Sequence, residues 1–202
     1  MKNRIKASYP ASVFVTLNDV MAYIADFSER TAKSRGVEVH PSIPKDPNNA
    51  TKDMDCLHFH NIKKLSVDYN VFDDHQFKDK FNHDLEHCEC CLFPTSNNDA
   101  TFVGFVEIKD CKSRNISDYR EKTKKQIINV VKLFRSIGVI DKQEVYGIIS
   151  FPRKKTAYDH NIFSDYTEYK RLYKSEKIHF IASNNIYIIN DKTLNIKDIT
   201  KQ

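Results

Sequence analysis

The chain has 202 residues, of which 40% are apolar and 29% charged, with a formal net charge of +5 and an isoelectric point near 8.8. No apolar run approaches the ~18 residues a membrane helix needs, and no continuous apolar signal core follows the basic start Met1–Lys6. Five cysteines, an odd number with Cys88, Cys90 and Cys91 crowded together, exclude a comfortable disulfide framework and suit reduced thiols in a cytoplasmic protein.

The length suits one domain over residues 1–202, and 13 Phe with 10 Tyr are enough for a real core. Thr16 or Asn18 can cap a helix running to about Ser34, with Val20, Met21, Ile24 and Phe27 as its apolar stripe and Gly36 past its end. Residues 40–55, with Pro41, Pro44, Pro47, Asn48 and Asn49, read as a surface loop. Leu65–Tyr69 alternates like a strand, and Phe72–Phe81 reads as polar helix or turn.

Two short apolar runs follow, Cys88–Phe93 and Thr101–Lys109, separated by the turn-rich Pro94–Asp99. They read as an antiparallel hairpin. A helix from a Ser117 cap to a Gly138 stop buries Ile127, Val131 and Phe134 and presents Lys122, Lys125, Asn129 and Lys132 on a polar stripe. Val145–Phe151 is a continuous apolar run suited to a buried strand. Asp165–Tyr173 reads as a further helix. Ile178–Ile181 and Ile186–Ile189 read as a closing hairpin over Ser183–Asn185. No internal repeat or obvious linker is visible.

The chemistry gathers on the hairpin. The strand Thr101–Lys109 is apolar on both faces until it ends in Glu107-Ile108-Lys109. Strand side chains alternate, so Glu107 and Lys109 point the same way. A central strand has little structural reason to end with an acid and a base side by side. Glu89 lies about as far from the turn as Glu107, which brings two carboxylates and a lysine to one level of the sheet. Carboxylates with water suit Mg²⁺ or Mn²⁺.

These residues resemble the PD-(D/E)xK nuclease superfamily: an acid at the start of one core strand, then (D/E)-x-K on the next, then a helix and another strand. The resemblance covers about residues 66–153. It implies an α/β fold of restriction-endonuclease-like type, with a mixed central β-sheet flanked by helices and elaborations at both ends. Within it, Glu89 and Glu107 are the implied metal ligands, the Ile108 main-chain carbonyl a further one, and Lys109 the residue that handles the water and the phosphate charge. Gln126 on the following helix matches a glutamine found in some branches. The family's first acid is usually Asp, often after Pro, whereas Cys88 precedes Glu89 here; Asp84 and Glu86 are the fallbacks. Glu29 is the best match to an acid that many members carry on the first helix.

The resemblance implies a metal-dependent nuclease acting on DNA before RNA, as a homodimer or as the cutting component of a larger assembly such as a microbial restriction or defence system. Lys112, Arg114, Lys122, Lys125, Arg153 and Lys154 follow the site and form a candidate rim for the phosphate backbone. Two other readings stay open: a nuclease-like fold kept as a binding or assembly module without catalysis, and an interaction protein stabilised by zinc on Cys56, His58, His60, His87, Cys88, Cys90, Cys91 and Cys111. The cysteine spacing argues against zinc, since Cys88 and Cys90 are expected to face away from Cys91 and no C-x-x-C pair occurs.

Overall fold

The run Phe102–Ile108 is buried at every position, so it needs cover on both faces and neighbours on both edges. The computed structural model, which describes residues 1–28, 36–79, 81–96, 98, 100–109, 116–153 and 166–196 (the side chains of 116–118 and 166 excepted), supplies both. In chain order the elements are α1 (Lys2–Ser8), β1 (Phe14–Leu17), β2 (Met21–Asp26), β3 (Val37–His40), β4 (Lys45–Asp46), β5 (Asn49–Asp53), β6 (Leu57–His60), β7 (Val67–Val71), β8 (Cys90–Pro94), β9 (Phe102–Ile108), α2 (Ile116–Ser136), β10 (Glu144–Ser150), α3 (Tyr166–Glu176), β11 (His179–Ala182), β12 (Asn185–Asn190) and β13 (Thr193–Asn195).

Among the described residues, six strands form a mixed sheet in the order β1-β7-β8-β9-β10-β11. β1, β7, β8 and β9 pair antiparallel, whereas β9, β10 and β11 pair parallel. The parallel step from β9 to β10 requires a crossover, and α2 provides it. Its stop is Gly138, whose φ of +72° suits a residue without a Cβ. A second sheet of five strands runs β13-β12-β6-β2-β3, and β4 and β5 form a separate hairpin across Pro47–Asn48.

Two cores lie on the two sides of the large sheet. On the helix side, Ile127, Val130, Val131 and Phe134 of α2 and Ile5 of α1 pack on Cys91, Phe93, Val103, Phe105 and Ile149. Phe134 is the hub: its ring meets Phe72, Phe77 and Phe105 edge-on with centroids 5.9, 5.8 and 5.6 Å away. On the other side, Phe102, Val106, Ile108 and Ile148 meet Ile24, Leu57, Phe59, Ile186 and Ile188 of the second sheet. Each fully buried Phe or Ile contributes about 1.5–3 kcal/mol relative to exposure. β9 is therefore central in both directions.

The mixed α/β architecture, the β8–β9 hairpin, α2 and β10 follow the sequence expectations. Other expectations do not hold, among them the loop over residues 40–55, which contains the β4–β5 hairpin. Residues 14–26 form β1 and β2 rather than a helix: Ala22 to Asp26 are all buried, and Ile24 pairs with Val39 on one side and Leu57 on the other. Two-sided burial overrides the helical spacing of Val20, Met21, Ile24 and Phe27, and Val20 is exposed. β11 and β12 do not form a hairpin, since β11 joins β10 in the large sheet and β12 joins β6 in the second. Among the described residues, the large sheet has helices on one face only, because the second sheet covers the other. Glu29 lies outside the described residues.

Candidate active site

The β8–β9 ladder sets Leu92 opposite Gly104, Cys91 opposite Phe105 and Cys90 opposite Val106. One step further would pair Glu89 with Glu107. The Glu89 amide instead donates to the Val106 carbonyl at 2.9 Å, so Glu89 and Cys90 both face Val106. Two residues against one is a β-bulge, which re-aims the side chains around it. Cys88 is consequently returned to the helix-side core with Cys91, while Cys90 alone packs between the sheets. The expectation that Cys88 shares a face with Cys90 is thereby corrected.

At the other strand, Lys109 donates its amide to the Ser150 carbonyl at 3.0 Å, extending the β9–β10 pairing one residue past β9. Alternation along β9 puts Glu107 and Lys109 on the helix side with Val103 and Phe105. The Lys109 ammonium then sits between two acids, with Nζ 3.0 Å from Glu89 Oε1 and 2.8 Å from Glu107 Oε1. Glu107 is fully buried, and Glu89 and Lys109 are 18% and 22% exposed. The three residues converge through Lys109, although Glu89 faces Val106 and not Glu107.

Burial has a cost here. Glu107 Oε2 is buried and has no hydrogen-bond partner among the described residues. Desolvation pushes the Glu107 carboxyl up to about 8, against the pull of Lys109, with Glu89 and Asp26 adding repulsion. For Lys109, burial works to lower its pKa, but Glu107 and then Glu89 outweigh it and hold the ammonium above its ordinary value. Burial also raises the neighbouring Cys88 thiol, and Glu107 adds to that.

Helix α2 fixes the approach to Glu89. Gln126 donates from Nε2 to the His87 carbonyl at 2.9 Å, Asn129 donates from Nδ2 to the Glu86 carbonyl at 2.8 Å, and Lys125 lies 3.0 Å from the Glu86 carboxylate. Gln126 is buried, and its Oε1 has no hydrogen-bond partner among the described residues. Gln126 therefore holds the strand that presents Glu89. Of the candidate phosphate rim, Lys122 and Lys125 are exposed and Arg153 is half-buried just past β10, while Lys112, Arg114 and Lys154 lie outside the described residues, as does Cys111.

Asp26 was not singled out by sequence. It ends β2, is 4% exposed, and accepts hydrogen bonds from the Ser28 amide at 2.9 Å and hydroxyl at 2.5 Å. The signal that could have found it is the one that found Glu107, an apolar run ending in an acid. Ser150, at the end of β10, is also buried and donates to Asn184 Oδ1 at 2.7 Å.

No group of three or more His, Cys, Asp or Glu side chains is placed to hold a metal among the described residues. A zinc cluster needs three or four such ligands, and the described residues do not assemble one; Cys111 lies outside them. Mg²⁺ and Mn²⁺ ask for less from the protein, commonly one or two carboxylates with water and phosphate oxygens completing the shell. Glu89, Glu107 with its unpartnered buried oxygen, and the Ile108 carbonyl fit that requirement. Ile108 packs its side chain between the sheets, so the carbonyl is the only ligand atom it can offer.

No family model, curated protein or solved structure matches the chain. No helix of the described residues is long and apolar enough to cross a membrane. A surface cleft of about 660 Å³, lined by Val20, Met21, Tyr23, Ile43 and Lys64 among others, includes none of the candidate site residues.

Proposed function

We propose that the protein is a metal-dependent nuclease that hydrolyses nucleic-acid phosphodiester bonds, DNA before RNA, with Mg²⁺ or Mn²⁺ at Glu89 and Glu107. The observation that carries this is the buried Glu107, which shares Lys109 with Glu89 and keeps one carboxylate oxygen without a partner. Leaving such an oxygen buried is costly unless something binds it. The order β8, β9, α2, β10 supports the family reading.

When bound, the cation would polarise the phosphate and favour ionisation of a water. Glu107 is the anchoring carboxylate, rigid because its strand is hydrogen-bonded on both edges. Glu89 is presented by the bulge and steadied through the hold of Gln126 on His87. Lys109 carries the ammonium of the site, and its part is to stabilise negative charge on the phosphorane. Lys122, Lys125 and Arg153 are the described candidates for contacting the nucleic-acid backbone, and Lys112, Arg114 and Lys154 are candidates by sequence position alone. A small domain of this kind fits a homodimer, or the cutting subunit of a restriction or defence assembly.

Incubating purified protein with plasmid, single-stranded DNA and RNA, in Mg²⁺, Mn²⁺ or chelator, tests this directly. Cleavage is expected only with metal and only with Glu107 and Lys109 intact. Cleavage that persists in Glu107→Gln and Lys109→Ala sinks the assignment.

One observation favours a second reading, a binding or assembly module without catalysis. Lys109 already serves both acids, and no third ligand side chain joins them among the described residues. Such a module takes up no Mn²⁺ that depends on Glu89 and Glu107, which a metal titration distinguishes.

A further inference from the structure

We infer that Lys109 is the resting counter-ion of this site, occupying the gap between Glu89 and Glu107, and that a divalent cation enters by bridging the two oxygens it holds and displacing its ammonium. The inference rests on the metal-site part of the proposed function and not on nuclease activity. Nζ stands 3.0 Å from one oxygen of Glu89 and 2.8 Å from one oxygen of Glu107. A divalent cation that bridged those same two oxygens would need the space the ammonium now fills. Two cations cannot share it without strong repulsion in a site this poorly hydrated.

The main chain at Lys109 cannot retreat, because its amide is bonded to Ser150. Displacement must therefore come from the side chain, which is 22% exposed and has an outlet to solvent. Glu107 cannot leave, being fully buried on a strand paired on both edges. The moving part is the lysine. Lys109 accordingly has two positions, one neutralising the carboxylates and one free to meet a phosphate. Metal entry moves it from the first to the second.

Mn²⁺ binding to intact protein, followed by electron paramagnetic resonance, tests this in wild type, Lys109→Met and Glu107→Gln. Lys109→Met is expected to bind Mn²⁺ about tenfold more tightly than wild type or better, because no ion pairs have to be broken first. Glu107→Gln is expected to lose binding. In wild type, the ¹⁵N ammonium signal of Lys109 should lose its slowed hydrogen exchange on saturation with Mg²⁺.

Equal or weaker Mn²⁺ binding by folded Lys109→Met, while wild type still binds through Glu107, overturns the inference and leaves the metal site standing. Absence of Glu107-dependent Mn²⁺ uptake in both proteins overturns the inference and the metal-site reading together. If Lys109→Met does not fold, the wild-type signal decides: an ammonium unchanged at saturating Mg²⁺ refutes displacement.

Discussion

Two buried acidic sites on the helix-facing side of one sheet invite comparison. On β7, Asp68 is 1% exposed and is met by Lys2 Nζ at 3.0 Å and Thr16 Oγ1 at 2.5 Å. Asn70, two residues on, donates to the Val13 carbonyl at 2.8 Å. On β9, Glu107 is equally buried but shares its lysine with Glu89. Both sites contain an oxygen without a hydrogen-bond partner among the described residues, Asp68 Oδ2 in one and Glu107 Oε2 in the other. An orphaned oxygen therefore does not by itself mark a functional site. Charge count separates them: one acid to one base in the first, two acids to one base in the second. The acid left without a base of its own is the one whose proton a divalent cation can displace.

The largest expected effect is on chemistry. Glu107→Gln and Lys109→Ala should each lower cleavage by about 100-fold or more, whereas Asp68→Asn should leave it within about twofold. Equal losses at both sites, measured as initial rates on plasmid, would erase the distinction.

The next effect is on stability against pH. Glu107, raised from 4.5 to about 8, keeps in the folded state a proton that the unfolded chain has already lost. Its contribution to stability therefore falls as pH rises from about 4.5 to about 8 and is level above that. Glu107→Gln removes the dependence. In metal-free buffer its melting temperature should rise relative to wild type across that window, by about 2–4 °C for each kcal/mol recovered. A gap that does not grow with pH contradicts the raised pKa of Glu107.

Lys2→Met tests the balanced site. It leaves Asp68 with Thr16 alone, and because Lys2 is 37% exposed and screened, the loss should be only about 1–2 kcal/mol. Mn²⁺ binding should not change. The smallest pair of effects lies on α2. Gln126→Ala should cost about 1 kcal/mol and weaken Mn²⁺ binding several-fold by loosening the bulge, whereas Lys125→Ala, losing only an exposed pair with Glu86, should shift stability by less than about 0.5 kcal/mol.

The parts of the fold legible in the sequence are those encoded locally. Pro94–Asp99 sets the β8–β9 hairpin, the stripe Ile127, Val131 and Phe134 sets α2, and the apolar run ending at Phe151 sets β10. Two carboxylates and an adjacent lysine could be brought to one level of the sheet because a hairpin turns sequence distance into position; that the lysine lies between the acids is visible only in the structure. The second sheet was not legible, since β6 pairs with β12 across more than a hundred residues and β2 carries a helical spacing by coincidence. The bulge at Glu89 also escaped notice: no glycine marks it, and only the hydrogen bond to Val106 reveals it. Asp26 was hidden with β2.

One feature at the far end of the chain bears on how the molecule comes apart. Only Ser183 and Asn184 separate β11 from β12, yet those strands belong to different sheets. Asn184 accepts from the Ser150 hydroxyl, donates to the Phe151 and Pro152 carbonyls, and accepts the His58 amide on β6 with its own carbonyl. A single asparagine thus rivets the two layers beside the end of β10. Peeling one sheet from the other must tear out this rivet, so denaturation should proceed as one cooperative event rather than layer by layer.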